Sequence, residues 1–301
     1  MRLIDVDSYE IHEVVADQIP AYAILSHCWG EAEVSLSDIQ NGEAKGKLGF
    51  QKIYYACEQA KRDFLKWVWV DTCCIDKTSS AELSEAINSM YQWYGEAIAC
   101  YVYLSDITFG SHAPLGASRW FTRGWTLQEL VAPEEVQFFN KHWKWIGLRD
   151  EMSELLEGVT GIPGAVLSGR ETPLKHTVAA RMSWASNRSC TRVEDIAYCL
   201  LGLFDVNLPL IYEEGKKAFI RLQEEILRQT VDQTLLAWTV DSNSPQAWTR
   251  VGVLAESPAN FASCGGPFEI SQGELEALEY DTTGFGDIWS PSSPPTARQH
   301  R

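Results

Sequence analysis

The sequence predicts an α/β protein: a parallel sheet flanked by helices, with a mainly helical C-terminal extension. Two patterns predict it. In the first half, short and almost continuously apolar runs alternate with segments of helical spacing, as expected of strands covered on both faces. After about residue 150 the strand-like runs stop and helical spacing takes over.

The elements follow in order. Tyr22-Ala-Ile-Leu-Ser26 predicts a buried strand that ends in the turn-prone His27-Cys-Trp-Gly30. From Gly49 to Leu65 the spacing is helical, with Ile53, Ala56, Cys57, Ala60 and Phe64 on one face. Trp67-Val-Trp-Val-Asp-Thr-Cys-Cys-Ile75, rich in β-branched and aromatic residues, predicts a second strand. The polar break Asp76-Lys-Thr-Ser-Ser80 precedes a helix from Ala81 to Tyr94, with its cap near Ser80. Ala97 to Leu104 is the third strand. A Gly/Pro/Ser-containing loop follows, then a helix carrying Trp125, Leu127, Leu130 and Val131 that stops near Pro133. Val136 to Phe139 is the fourth strand. Right-handed crossovers place the C-terminal strand ends on one edge of the sheet. Ser26 to Gly30, Asp71 to Asp76, Ser105-Asp106 and the loop before Trp125 all fall there.

Helices are expected at Met152 to Leu156, Arg192 to Phe204 and Glu213 to Gln229. The expected organisation is an α/β domain over 1–150, a helical extension packed on it over 151–240, and an irregular region over 241–301. The Gly/Ser/Pro-rich tail from about 282 is expected to be disordered.

The formal net charge of −16 argues against nucleic acid, because phosphate binding relies on clustered Lys and Arg. No apolar stretch is long enough to span a bilayer, and the N-terminus lacks a secretory apolar region, so a cytoplasmic protein is expected. The eight cysteines form no Cys-x-x-Cys pair and mostly lie in apolar runs, as buried thiols in a reducing compartment do. No metal site is expected. Neither Gly-x-Gly-x-x-Gly nor a P-loop pattern occurs, so dehydrogenase and P-loop chemistry have no support.

Four segments carry a family resemblance: Tyr22-Ala-Ile-Leu-Ser-His-Cys-Trp-Gly30; Trp69-Val-Asp-Thr-Cys-Cys-Ile-Asp76; Ser118-Arg-Trp with Trp125-Thr-Leu-Gln-Glu-Leu130; and Arg192-Val-Glu-Asp-Ile-Ala-Tyr198 with Pro209-Leu-Ile-Tyr-Glu-Glu-Gly215. Over roughly residues 1 to 260 the chain resembles fungal heterokaryon-incompatibility (HET) domains. The resemblance implies a role in nonself recognition, where activation triggers cell death. The order of elements is also similar to TIR domains, which implies a flavodoxin-like sheet. Several TIR proteins hydrolyse NAD⁺ with a Glu on the third helix, and Glu129 matches that position. NAD⁺ would be a substrate here; no cofactor is expected.

Cleaving the nicotinamide–ribose bond passes through an oxocarbenium-like state that a carboxylate can stabilise, attack or serve by positioning water. Nicotinamide leaves as a neutral molecule, so one carboxylate suffices. Trp125, four residues before Glu129, would set an aromatic wall beside it; the plainer alternative is a core Trp and a solvated Glu. Ser26, His27, Trp29 and Gly30 would line the pocket, with Trp29 stacking on a base and Gly30 allowing close backbone approach. Alternatively they form a capped turn. Asp71 and Asp76 are candidates for ribose hydroxyls or for loop caps. Arg119, Trp120 and Arg123 could hold the pyrophosphate or form an exposed basic loop. Glu129 is expected to open into a cleft shared with Ser26, Trp29 and Asp71. The competing function is a non-catalytic module acting by homotypic assembly. Either function fits a homo-oligomer on activation and a separate NLR-type sensor partner.

Overall fold

Arg2–Asp5 (β1) and Ile11–Glu13 (β2) form an N-terminal antiparallel hairpin, and the apolar runs Tyr22–His27 (β3), Trp67–Val70 (β4), Ala99–Leu104 (β5) and Val136–Asn140 (β6) follow. Trp145–Leu148 (β7) completes a seven-stranded sheet of order β2-β1-β4-β3-β5-β6-β7. The computed structural model describes residues 1–15, 18–108, 115–240 and 252–265, so the expectations for 241–251 and for the tail lie outside the described residues.

β4, β3, β5 and β6 are mutually parallel, from Tyr22 opposite Trp67 to Leu104 opposite Asn140. All six residues of β3 are buried, which is why its run is apolar from Tyr22 to Leu25, with only Ser26 and His27 polar at its end. In chain order the four parallel strands lie second, first, third, fourth, so the order reverses between β3 and β5. The expected purely parallel sheet is corrected to a mixed one: β1 pairs antiparallel with β4, and β7 with β6. These flanking strands are three or four residues long, too short to show a period. β4 also stops five residues early. The amides of Cys73 and Cys74 both donate to the Val70 carbonyl, at 3.3 and 2.8 Å, and curl the chain away. Asp71 is thereby left at the sheet edge.

The helices are α1 (Leu36–Gln40), α2 (Phe50–Arg62), α3 (Ser80–Glu96), α4 (Thr126–Val131), α5 (Ser153–Thr160), α6 (Gly164–Leu167), α7 (Val178–Ser183), α8 (Asp195–Tyr198) and α9 (Lys217–Gln229). α2 buries Ile53, Ala56, Cys57 and Ala60 as its spacing predicts. Phe64, expected on the same face, lies beyond the helix end with φ of 58° and is 96% exposed. α3 is capped by Ser79, whose side chain accepts from the Glu82 amide at 3.3 Å.

The single helix expected over Arg192 to Phe204 is broken into α8 and a 3₁₀ turn at Gly202–Phe204. Gly202 lies so close to Tyr91 of α3 that a methyl group there would overlap it, so the chain tightens where α3 crosses. Residues 1–265 form one compact unit, and buried side chains from both halves join one core. Within the first half, Arg149 ties the end of α4 to β7: its guanidinium donates to the carbonyls of Leu130, Pro133 and Glu134 at 2.8 to 2.9 Å. Among the described residues no helix is long and apolar enough to cross a membrane.

Candidate functional site

Successive residues of a strand face opposite sides of the sheet. At the end of β3, Ser26 turns toward α4 and His27 toward the loop residues Glu33 and Asp71, so two polar clusters flank one strand end.

The first cluster is built on Ser26, which is fully buried. Its hydroxyl donates to Glu129 Oε2 and accepts from Trp120 Nε1 at 2.8 Å. Trp120 is held by a 3₁₀ turn at Arg119–Thr122, which Asp106 anchors by accepting from the Ser118 hydroxyl at 2.7 Å and the Arg119 amide at 2.8 Å. Glu129 is 7% exposed. Burial raises its carboxyl to about 8, with the Asp71 charge adding to the rise; Ser26, Tyr94 and the Arg188 cation act the other way. The carboxyl therefore carries its proton at neutral pH. The Tyr94 hydroxyl also lies 3.4 Å from the Leu25 carbonyl. Cys28, half-buried beside this cluster, is within electrostatic reach of Glu129, Arg123, Arg119 and Asp106, and burial lifts its thiol to about 11.

The second cluster holds buried atoms without hydrogen-bond partners: both His27 ring nitrogens, Glu33 Oε2, Asp71 Oδ1 and Thr72 Oγ1. His27 Nε2 is 3.8 Å from Glu33 and 3.7 Å from Asp71, too far to hydrogen-bond. Burial, then the Lys52 and Lys77 charges, push His27 well below its usual range, so it is neutral. Burial raises Asp71 against the opposing pull of Lys77 and Trp29. Lys52 pairs with Glu33 at 2.5 Å. Trp29, 48% exposed, donates to Asp71 Oδ2 at 2.7 Å, and Lys77 Nζ sits 3.6 Å from its ring centre. One face of the ring is thus occupied by a cation. Among the described residues no group of three or more His, Cys, Asp or Glu side chains could hold a metal ion.

The structure brings together Ser26, Trp120 and Glu129, and beside them His27, Trp29 and Asp71. It leaves others apart. Asp76 caps its own turn, accepting from the Thr78 amide at 2.9 Å and hydroxyl at 2.6 Å. Trp125 lies beside Asp195 of the extension and acts against the burial that raises that carboxyl. Asp195, Glu194 and Arg192 serve structure: Tyr212 donates to Asp195 at 3.2 Å, the Gly215 amide to Glu194 at 2.8 Å, and Arg192 covers the Tyr212 ring. Arg119 is exposed at the rim. A Cβ at Gly30 would make only ordinary contact, 3.5 Å from Glu33, so close backbone approach is not what requires glycine there.

The expected open cleft is not what surrounds Glu129; the carboxyl is enclosed by Ser26 and its neighbours. A cleft of about 650 Å³ lies instead at the opposite edge, lined by Tyr22, Glu85, Trp93, Glu96 and Ile98 at the strand starts. The raised carboxyl and the orphaned polar atoms place the candidate site at the other end. Sequence reasoning missed Glu33, Lys52, Lys77, Tyr94 and Arg188. Lys77, beside Asp76 in the edge loop, could have been found from the strand-end rule; Lys52, Tyr94 and Arg188 lie within helices or far along the chain and gave no signal.

Residues 22–115 match the family model "Heterokaryon incompatibility protein (HET)", and residues 217–279 match a domain of unknown function, DUF8212. The chain is similar to "Vegetative incompatibility protein HET-E-1" of Podospora anserina, 49% identical over 243 residues that make up 75% of this chain and 18% of that protein. The chain thus spans under a fifth of the length of the curated relative it matches. No solved structure matches it.

Proposed function

We propose, proceeding from the chain's membership of the heterokaryon-incompatibility (HET) domain family, that it acts in fungal nonself recognition and cell death by TIR-like cleavage of NAD⁺ to nicotinamide and ADP-ribose. One observation carries this reading: a buried carboxyl, Glu129, hydrogen-bonded to Ser26 at the end of the strand where the parallel order reverses. Open α/β sheets bind ligands outside that reversal. The second, first, third, fourth order of the parallel strands also supports the TIR likeness.

In this reading the structure is a resting state. Substrate entry displaces Ser26 from Glu129, and water reaching the carboxyl lowers its pKa so that it ionises. The carboxylate then stabilises the developing ribosyl cation or attacks it. His27, Asp71 and the orphaned Glu33 oxygen supply unspent acceptors for ribose hydroxyls. Arg119, at the rim, faces the phosphates. Opening is coupled to homo-oligomerisation, driven by a separate NLR-type sensor in the cytoplasm. Purified chain incubated with NAD⁺ releases nicotinamide, and Glu129→Gln does not; equal release by both overturns the assignment.

The enclosure of Glu129 favours a second reading, a non-catalytic module acting by assembly. Cell death on expression discriminates the two. It is lost with Glu129→Gln if the chain is an enzyme, and persists if the chain signals by assembly.

A further inference from the structure

We infer that Cys190 and Cys199 form an oxidisable dithiol, closed to an intramolecular disulfide by hydrogen peroxide, that clasps the helical extension onto the segment leading into α4. The inference rests on the two thiols and is independent of the NAD⁺ reading.

Both cysteines are free thiols; Cys190 is half-buried and Cys199 buried. Their sulfurs converge on Gly124. A methyl group at Gly124 would overlap Cys190 Sγ and lie 3.1 Å from Cys199 Sγ. The Cys199 thiol has two acceptors in reach, Cys190 and the Ile196 carbonyl at 3.6 Å. Two sulfurs that both press on the one Gly124 position are close enough for the small backbone adjustment that a disulfide needs. The Arg188 guanidinium lies within electrostatic reach of both; Cys190, the half-buried partner, is the sulfur that peroxide meets first.

The surroundings give the bond a consequence. Ser189 is strapped to the chain before α4: the Gly124 amide donates to its carbonyl at 2.9 Å, and its amide donates to the Thr122 carbonyl at 2.8 Å. Arg188 adds a bond to the Arg123 carbonyl at 2.9 Å. Cys190 follows this strap directly, and Cys199 is the first residue after α8. A disulfide therefore ties α8 to the strap, and the strap to the segment that positions Glu129.

The chemistry balances with one equivalent of peroxide. The partly exposed Cys190 sulfur attacks the O–O bond, giving a sulfenic acid and one water. Cys199 then attacks that sulfur, the S–S bond forms, its proton leaves with the displaced hydroxyl, and a second water is released. The two thiols lose two electrons and peroxide gains them.

The full chain is treated with a few-fold excess of hydrogen peroxide, alkylated with N-ethylmaleimide, and mapped by mass spectrometry without reduction. The expected result is two fewer adducts and a Cys190–Cys199 linked peptide that dithiothreitol separates. Cys190→Ser, at the more exposed partner, should fold and lose the linked peptide. Free alkylation of both thiols after peroxide, a sulfinate at Cys190, or linkage to another cysteine would each overturn the proposal. Amide exchange at Gly124 should slow severalfold on oxidation; a linked peptide with unchanged exchange overturns the clasp.

Discussion

Replacing Glu129 by Gln should stabilise the fold, and by an amount that depends on pH. Gln has the shape of the protonated acid and can keep the Ser26 hydrogen bond, but it cannot ionise. In the folded chain burial raises the Glu129 carboxyl from 4.5 to about 8. The folded state therefore holds a proton that the unfolded state has lost over that window. Stability is full below about pH 4.5, falls as pH rises toward 8, and levels off above it. The slope approaches about 1.4 kcal/mol per pH unit, giving a deficit of about 3 kcal/mol at pH 7. Denaturant unfolding of both proteins at pH 5, 6, 7 and 8 checks this. His27, depressed by burial, titrates in the opposite sense, but it is common to both proteins and cancels in the difference. Glu129→Gln should be close to the parent at pH 5 and about 3 kcal/mol more stable at pH 7. A difference that is the same at every pH refutes the buried, proton-holding carboxyl.

Three further outcomes follow from the packing. Ser26→Ala leaves the buried Trp120 indole and Glu129 without their shared partner and should destabilise by about 1–3 kcal/mol in urea. Arg149→Met strands two buried carbonyls and a third part-buried one and should lower stability by roughly 3 kcal/mol, read as a lower unfolding midpoint. Gly202→Ala drives a methyl into Tyr91 of α3, where backbone must move, and should lower the melting temperature more than Gly158→Ala, which meets nothing within 4 Å.

The centre of the fold was legible because strands buried on both faces are largely apolar. Tyr22–His27, apolar up to Leu25, and Ala99–Leu104 show this, and both lie in the middle of the sheet. The edges were not legible. Arg2–Asp5 and Ile11–Glu13 are too short for a period to appear, and the end of β4 is set by two amides sharing the Val70 carbonyl, which no residue pattern announces. Helix length was overstated at 192–204, where a tertiary contact between Gly202 and Tyr91 outweighs helical spacing. At the site, the rule that loops after parallel strands share an edge gathered Ser26, His27, Trp29 and Asp71 correctly. It could not foresee that Trp120 would be core, that Trp125 would turn to Asp195, or that Glu129 would be enclosed. Those depend on side-chain direction in a four-residue 3₁₀ turn and in a six-residue helix and its cap.

The measurement that bears most directly on the central claim is nicotinamide release from NAD⁺ by concentrated purified chain, followed from pH 6 to pH 9, with Glu129→Gln alongside. The account predicts a parent kcat/KM, read at low NAD⁺, that rises with pH as the resting carboxyl near 8 ionises, and a Gln variant with no release at any pH. A Gln variant that releases nicotinamide as fast as the parent would contradict it.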